Sequence, residues 1–420
     1  MSQTVRLPQY VWFNEKVVDF TFPDDWQITE HRIAGYDKPA LSDDEIKAAL
    51  DSPMGMPPLH ELAKARHEAV IIFDDMTRNT KVYEIIPHIL KDLADAGFTK
   101  DRIRFIAALG NHQALDWTSM AKKVGADTVA NYPVYNHCPF LNCTDIGTSS
   151  YMTKVSVNSE VMKCDLKIAI GQVVPHGIVG LSGGGKIIMP GVSSYESIRS
   201  HHTVTHQQWQ MGNRGGGMSP YDTLDGNPLH TDALEIAGMA GLDMLINTLV
   251  NSRGETVKVF AGALEPTCHA AYDEAKKHYA VVNTRDADIA IVNNFIKASE
   301  FMVAIKPGMQ ALKPEGGSVV LISSSPSGQV IHYMYDNFGK FIAGDAYFGI
   351  EIPPHIKNFI IYNEFPEAKI PYRFKNPEQV IQTNNWNEVI TILQKDHRPG
   401  SRISVFPNAD TQYFIPGGPE

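Results

Sequence analysis

Residues 175–191, PHGIVGLSGGGKIIMPG, put a histidine, three consecutive glycines and a lysine on one short stretch. Imidazole exchanges protons near neutral pH, and a lysine on a glycine-rich turn can face a phosphate. The spacing Gly180-x4-Gly185-Lys186 fits most of a phosphate-cradling loop. Ile187 stands where that loop needs Ser or Thr to reach magnesium, and Pro190 where the following helix should supply backbone donors, which argues against a P-loop-like phosphotransferase. A purely structural turn with a solvated lysine is the competing reading. His176 upstream and the pair His201-His202 downstream weigh toward a site. His202 and His206 have the i, i+4 spacing of a metal pair, but no glutamate lies between them to serve a zinc hydrolase as general base. Two further clusters offer chemistry: DDMTR at 74–78 and GNH at 110–112. An arginine such as Arg78 can hold a carboxylate through two parallel hydrogen bonds, and the competing reading of DDMTR is a strand-end turn with a surface ion pair.

The elements around these clusters read as alternating strand and helix. EAVIIFDD (68–75), RIRFIAALG (102–110) and CDLKIAIGQVV (164–174) have the composition of buried strands. Val82, Ile85, Ile86, Ile89, Leu90 and Leu93 recur at helical spacing, with Gly97 as a stop and Pro87 expected to bend the helix early. A second helical pattern runs from about Trp117 to Val124. Each polar cluster falls at the carboxyl end of a strand, where α/β sheets gather their ligands. Residues 211–228 read as a long glycine-rich loop or lid. A second unit then follows, with DADIAIVNNF as strand, ASEFMVAIKPGMQAL as helix and GGSVVLISSS as strand. The expected fold is therefore two α/β domains with mainly parallel sheets and an active-site cleft between them. The boundaries fall at 1–280 and 281–401, and a tail of about 402–420 packs back on the first domain.

Composition bounds the function. With 420 residues and 43% hydrophobic content the chain can bury two cores, and its net charge of −10 argues against a nucleic-acid or anionic-membrane partner. No stretch approaches the ~20 apolar residues of a membrane span and the N-terminus lacks the features of a secretory signal, so the expected location is cytoplasmic. Four cysteines, Cys138, Cys143, Cys164 and Cys268, make no C-x-x-C pair. They read as buried thiols, although His137 beside Cys138 and Cys143 keeps an incomplete zinc set in view. Nothing in the sequence reports an oligomeric state.

In register, DDMTR, GNH, PHGIVGLSGGGKIIMPG and the downstream histidine pair resemble the nickel-dependent lactate racemase family of 2-hydroxyacid racemases and epimerases. That resemblance implies a nickel-pincer nucleotide, a pyridinium-derived mononucleotide that grips nickel through carbon and two sulfurs and is attached covalently to a lysine, here Lys186. It implies His112 and His176 as the acid and base, and a histidine ligand to nickel at His202, with His201 as the one-residue alternative. Arg78 and Lys306 are implied as substrate contacts. Gly183, Gly184 and Gly185 are implied to let the backbone approach the cofactor and offer it amides. Asp75 and Thr77 stand with the cofactor-facing residues, Asp75 orienting a histidine or Arg78 and Thr77 donating to the cofactor phosphate. Cofactor-assembly enzymes are implied as transient partners.

The chain departs from lactate-type members at Val303, where they carry glutamine, and NNFIKASE (293–300) lacks their proline and acid. The expected substrate is accordingly a 2-hydroxy acid other than lactate, larger or a sugar acid. The rival reading from another class is a cofactor-less homologue that binds hydroxy acids without turning them over.

Overall fold

The computed structural model describes residues 2–177, 179–205, 226–282, 284–336 and 349–415. Ala69–Asp74, Leu166–Gln172 and Met244–Val250 are apolar at almost every position and form strands buried along their whole length. Strands buried on both faces must pair in parallel beneath helices. They lie at the centre of a six-stranded sheet whose order is Thr256–Gly262, Met244–Val250, Leu166–Gln172, Ala69–Asp74, Ile103–Ala108, Val134–Asn136. All pairs are parallel except the first.

The helix Val82–Asp95 presses Val82, Ile85, Ile86, Ile89 and Leu93 into one side of this core and runs on through Pro87, so the expected bend does not end it. Its stop is set by Gly97 at φ +88°, whose N–H donates to Ala94 O while Phe98 N–H donates to Leu93 O. These two bonds satisfy the last carbonyls of the helix, and a Cβ at residue 97 would resist that φ. The helix Trp117–Val124 begins at Asp116, whose side chain accepts from Ser119 N–H.

A second six-stranded sheet is wholly parallel, in the order Val380–Thr383, Ile356–Tyr362, Gly317–Ile322, Ile289–Asn293, Arg402–Phe406, Gln27–Glu30. The protein is thus an α/β fold with one mixed and one parallel sheet. Two compact units contain them: residues 37–251 with 255–277, and residues 1–36 with 252–254 and 278–420.

The division corrects two expectations. Residues 1–36 group with the second unit. Their strands Ser2–Gln9 and Lys16–Pro23 pair antiparallel and alternate, so that Val5, Leu7, Phe20 and Phe22 pack with Trp26 on Ile289, Ile291, Val320 and Ile360. That period-two pattern was legible in V-x-L and F-x-F. The tail also stays in the second unit: Arg402–Phe406 is an inner strand there, and Tyr413–Ile415 pairs with Ala280–Val282. The single helix expected over 298–312 is instead a short turn, Phe301–Ala304, followed by Ile305–Ala311. Of the loop expected at 211–228, residues 211–225 lie outside the described residues, as does His206. Among the described residues no helix is long and apolar enough to cross a membrane.

Candidate active site

Three adjacent parallel strands end at Asp74, Ala108 and Gln172, and the turns that follow carry DDMTR, GNH and the histidine–glycine–lysine stretch. Parallel register is what brings segments so far apart in sequence to one edge. Gly110 N–H donates to Gly191 O at 2.8 Å, tying the GNH turn to the end of the glycine–lysine stretch.

DDMTR is not a surface ion pair, since Asp74, Asp75 and Thr77 are all buried. Asp75 Oδ2 lies 2.6 Å from His112 Nδ1. Burial would raise the Asp75 carboxyl, but the His112 imidazole beside it, then Arg78 and the Thr77 hydroxyl, outweigh burial and hold it well below the usual carboxylate range. An ionised carboxylate only accepts, so His112 presents its hydrogen on Nδ1 and its lone pair on Nε2, the arrangement of a general base. The other oxygen, Oδ1, accepts from Thr77 N–H at 3.0 Å and Thr77 Oγ1–H at 2.5 Å. That engages the hydroxyl proton of Thr77 with Asp75. Arg78 Nη1 donates to Thr77 O at 3.0 Å and Thr77 Oγ1 at 2.9 Å, which holds the half-buried guanidinium beside the turn.

Sequence reasoning missed the group beneath this turn. Lys123 is fully buried, and its ammonium sits 2.8 Å from Asp74 Oδ1 while donating to Asp75 O at 2.9 Å and Arg78 O at 2.6 Å. Two carbonyls accept from the ammonium and the Asp74 carboxylate neutralises it, which offsets a charge that burial would otherwise penalise heavily. Burial pushes the Asp74 carboxyl up and the Lys123 ammonium down, and the ion pair between them counters both shifts. Asp74 Oδ2 also accepts from Thr80 Oγ1 and from Gln172 N–H, and Gln172 Oε1 accepts from Asn79 N–H, so two strand ends are laced together. A signal existed: Lys123 falls on the apolar stripe of its helix with Met120 and Val124. Next to His112, both side-chain polar atoms of buried Asn111 lack a partner among the described residues, as does Gln172 Nε2.

His176 lies half-buried on a two-residue strand, Pro175–His176, that pairs with Gly180–Leu181. Lys186, also half-buried, sits on the tight turn Gly184–Ile187. No helix grows from that turn; the next is Tyr195–Arg199, which removes the phosphate-binding helix a P-loop needs. The glycines have a packing role: a Cβ on Gly183 would meet Asn247 Oδ1, on Gly184 Tyr272 Oη, and on Gly185 Ala233 O. They let the turn press against its own unit, and Gly184 N–H donates to Asn247 Oδ1 at 3.2 Å.

The helix Pro228–Met239 packs on both the lysine turn and the wide turn Ser200–Thr205. It thereby brings the Lys186 segment and the histidine pair to one place. His201 and His202 are buried, with their Nδ1 atoms 3.1 Å apart. Burial lowers His201 to about 3, the backbone bond to Leu229 opposes this, and the Lys186 charge adds to it. Lys306 lies near the start of the helix Ile305–Ala311, in the other unit.

The cysteines divide, with Cys164 and Cys268 buried but Cys138 exposed and Cys143 half-exposed, contrary to four buried thiols. His137 accepts from Asn158 at Nδ1 and donates to Ser193 O from Nε2 at 2.8 Å, so both ring nitrogens are engaged in holding the fold. Among the described residues no three His, Cys, Asp or Glu side chains converge as a metal site.

A family model for the lactate racemase N-terminal domain matches residues 13–213. The lactate racemase of Thermoanaerobacterium thermosaccharolyticum is 28% identical over 286 residues, 67% of this chain and 65% of that protein. That of Lactiplantibacillus plantarum is 29% identical over 315 residues, 71% of this chain and 70% of that one. The match thus spans about two-thirds of those relatives' length. Among solved structures, the lactate racemase apoprotein from T. thermosaccharolyticum superposes with a TM-score of 0.72 at 22% identity, covering 98% of this chain and 100% of that one. A Thermotoga maritima protein gives 0.62 at 15% identity over 91% and 100%. At those identities the superpositions speak for the fold alone.

Proposed function

We propose that this chain is a member of the lactate racemase family and, from that premise, an isomerase, a racemase or 2-epimerase of a 2-hydroxy acid other than lactate, that works with a nickel-pincer nucleotide. The observation that carries the reading is the Asp75–His112 pair, a buried carboxylate that fixes an imidazole as a base at the strand ends where the lysine turn also lies. The residues suit the cofactor. Lys186 is half-buried on a turn that packs on the same helix, Pro228–Met239, as the turn of His201 and His202, and the amide of Asn111 and Gln172 Nε2, without a partner among the described residues, provide buried polar groups at the strand ends. Lys186 would carry the covalent link and His202 would ligate nickel.

When bound, that cofactor supplies a carbon centre able to take up and return a hydride. The protein supplies everything else. Arg78 holds the substrate carboxylate by paired hydrogen bonds, anchored by its own contacts to Thr77. A hydroxyl proton must leave as the C2 hydrogen departs, and mirror-image substrates present that hydroxyl to opposite sides. His112 Nε2 takes it on one side and His176 on the other, and each later returns it. Asp75 stays ionised throughout and stabilises His112 when charged. Lys306 is the second substrate contact, and Val303 removes the hydrogen-bonding group that lactate-type members carry, which disfavours lactate. The protein acts in the cytoplasm, with cofactor-assembly enzymes as transient partners.

The test is intact-protein mass after production alongside the cofactor-assembly enzymes, followed by a chiral assay over a panel of 2-hydroxy acids. The expected result is an added mass on the wild type, lost in Lys186→Ala with all turnover, and inversion of an acid other than lactate. Protein of unmodified mass that still inverts a hydroxy acid would overturn the cofactor assignment; binding without inversion would favour the cofactor-less homologue.

A further inference from the structure

Consecutive residues on a regular helix point about 100° apart and do not face one another. His201 and His202 do, because residues 200–205 form a π turn, a wider coil that recurs at functional sites. Their ring centroids are 5.0 Å apart and their Nδ1 atoms 3.1 Å apart. A hydrogen bond at that distance needs one hydrogen and one lone pair, so the two rings must adopt opposite tautomers.

Which ring has which is decided at the far side of His201. Its Nε2 lies 2.9 Å from the backbone oxygen of Leu229, at the N-terminal end of the helix Pro228–Met239. A carbonyl only accepts, so the His201 hydrogen is on Nε2 and its Nδ1 carries the lone pair. His202 must then donate from Nδ1, which leaves the lone pair on its Nε2. Both rings are buried, at 1% and 8% exposure, where the neutral forms are favoured. Thr153 Oγ1–H donates to Asp232 Oδ2, which stands 3.9 Å from His201 Nε2, beyond hydrogen-bond reach, so the carbonyl remains the acceptor.

We propose that His201 is a positioning residue: it reads the Leu229 carbonyl and relays that choice to His202, fixing the neighbour with Nε2 deprotonated and ready to bind a metal. Metal-binding histidines usually have the second nitrogen held by a carboxylate, a carbonyl or water, whereas here a second imidazole does it. The role of this relay rests on His202 as the nickel ligand, but the tautomers themselves do not.

Ring-nitrogen correlation spectra of the full-length, cofactor-free protein at neutral pH test it. In the wild type, His202 should show a lone-pair Nε2 and a protonated Nδ1, and His201 the reverse. His201→Phe, which keeps the ring but removes the acceptor, should move His202 to the Nε2–H form. His201→Gln, whose amide can donate to Leu229 and accept from His202, should restore the wild-type pattern. In cofactor-loaded protein, nickel affinity should fall about 10–100-fold in the Phe variant and recover in the Gln variant. A wild-type His202 with Nε2–H, or one indifferent to His201→Phe, would overturn the relay, and the wild-type spectrum decides this even where the Phe variant does not fold. An absent mass adduct on Lys186 with the tautomers as stated would instead remove the nickel reading and leave the relay standing.

Discussion

The two units have the same architectural core, a six-stranded sheet whose parallel strands end at one edge, yet those edges are furnished differently. In the unit of residues 37–251, the strand ends carry formal charges: Lys123 against Asp74, and Asp75 against His112. In the other unit amides and hydroxyls lace the turns around a buried Lys297 and Asp410, and burial pushes the Asp410 carboxyl up. Asn293 donates to Pro8 O and Pro407 O and accepts from Gln9 Nε2 at 2.5 Å, while Asn294 donates to Ser323 Oγ and Lys297 O. An amide lattice satisfies buried backbone and fixes a loop, but it cannot hold a base in a chosen protonation state. A buried carboxylate whose pKa is held low can. The contrast teaches that the same strand-end geometry serves as scaffold or as chemistry according to whether a carboxylate held ionised there faces an imidazole, as Asp75 faces His112.

The comparison can be broken at its charged edge first. Asp75→Asn should lower kcat about 10²–10⁴-fold while the thermal midpoint moves little, since His112 would lose the charge that supports it; a variant as active as wild type would leave the pair without a catalytic role. Lys123→Met leaves Asp74 buried without its counter-charge and should cost about 3–5 kcal/mol in urea unfolding. A neutral outcome there would mean that Asp74 is protonated in the folded state.

Acid should sharpen the contrast. His137 and His201 are lowered to about 4 and about 3, chiefly by burial, so the folded state favours their neutral forms. Their stabilisation is complete above the ordinary histidine value of about 6.5 and is lost as pH falls below it, at up to about 1.4 kcal/mol per pH unit for each. Urea midpoints at pH 7, 6 and 5 should fall accordingly, and His137→Gln should flatten the series. Asp75, depressed rather than raised, starts to lose its contribution only below the ordinary carboxylate value of about 4. The smallest effect is expected at the amide lattice of the other unit. Asn293→Ala should cost about 1–3 kcal/mol by leaving the Pro8 and Pro407 carbonyls unsatisfied, with the Lys186 adduct mass unchanged.

Much of this was legible along the chain. The buried strands, the helix ended by Gly97 and the four motif clusters follow from local composition, because apolar periodicity and left-handed glycines act over a few residues. The N-terminal hairpin was equally local and could have been read from its alternation. Its membership of the distant unit could not, since Val5 and Phe20 find Ile289 and Val320 only through the fold.

The sequence alone therefore determined which residues could do chemistry, and that the glycine–lysine stretch lacks a phosphate loop's helix, because residue type and short-range steric limits suffice for both. Only the tertiary structure decided what each polar atom is committed to. Thr77 turns its hydroxyl to Asp75, Lys123 supports the turn from beneath, the glycines face Asn247, Tyr272 and Ala233, and His201 faces a carbonyl. Hydrogen bonds and buried charges are satisfied by partners tens of residues away, and no local rule in the chain names those partners.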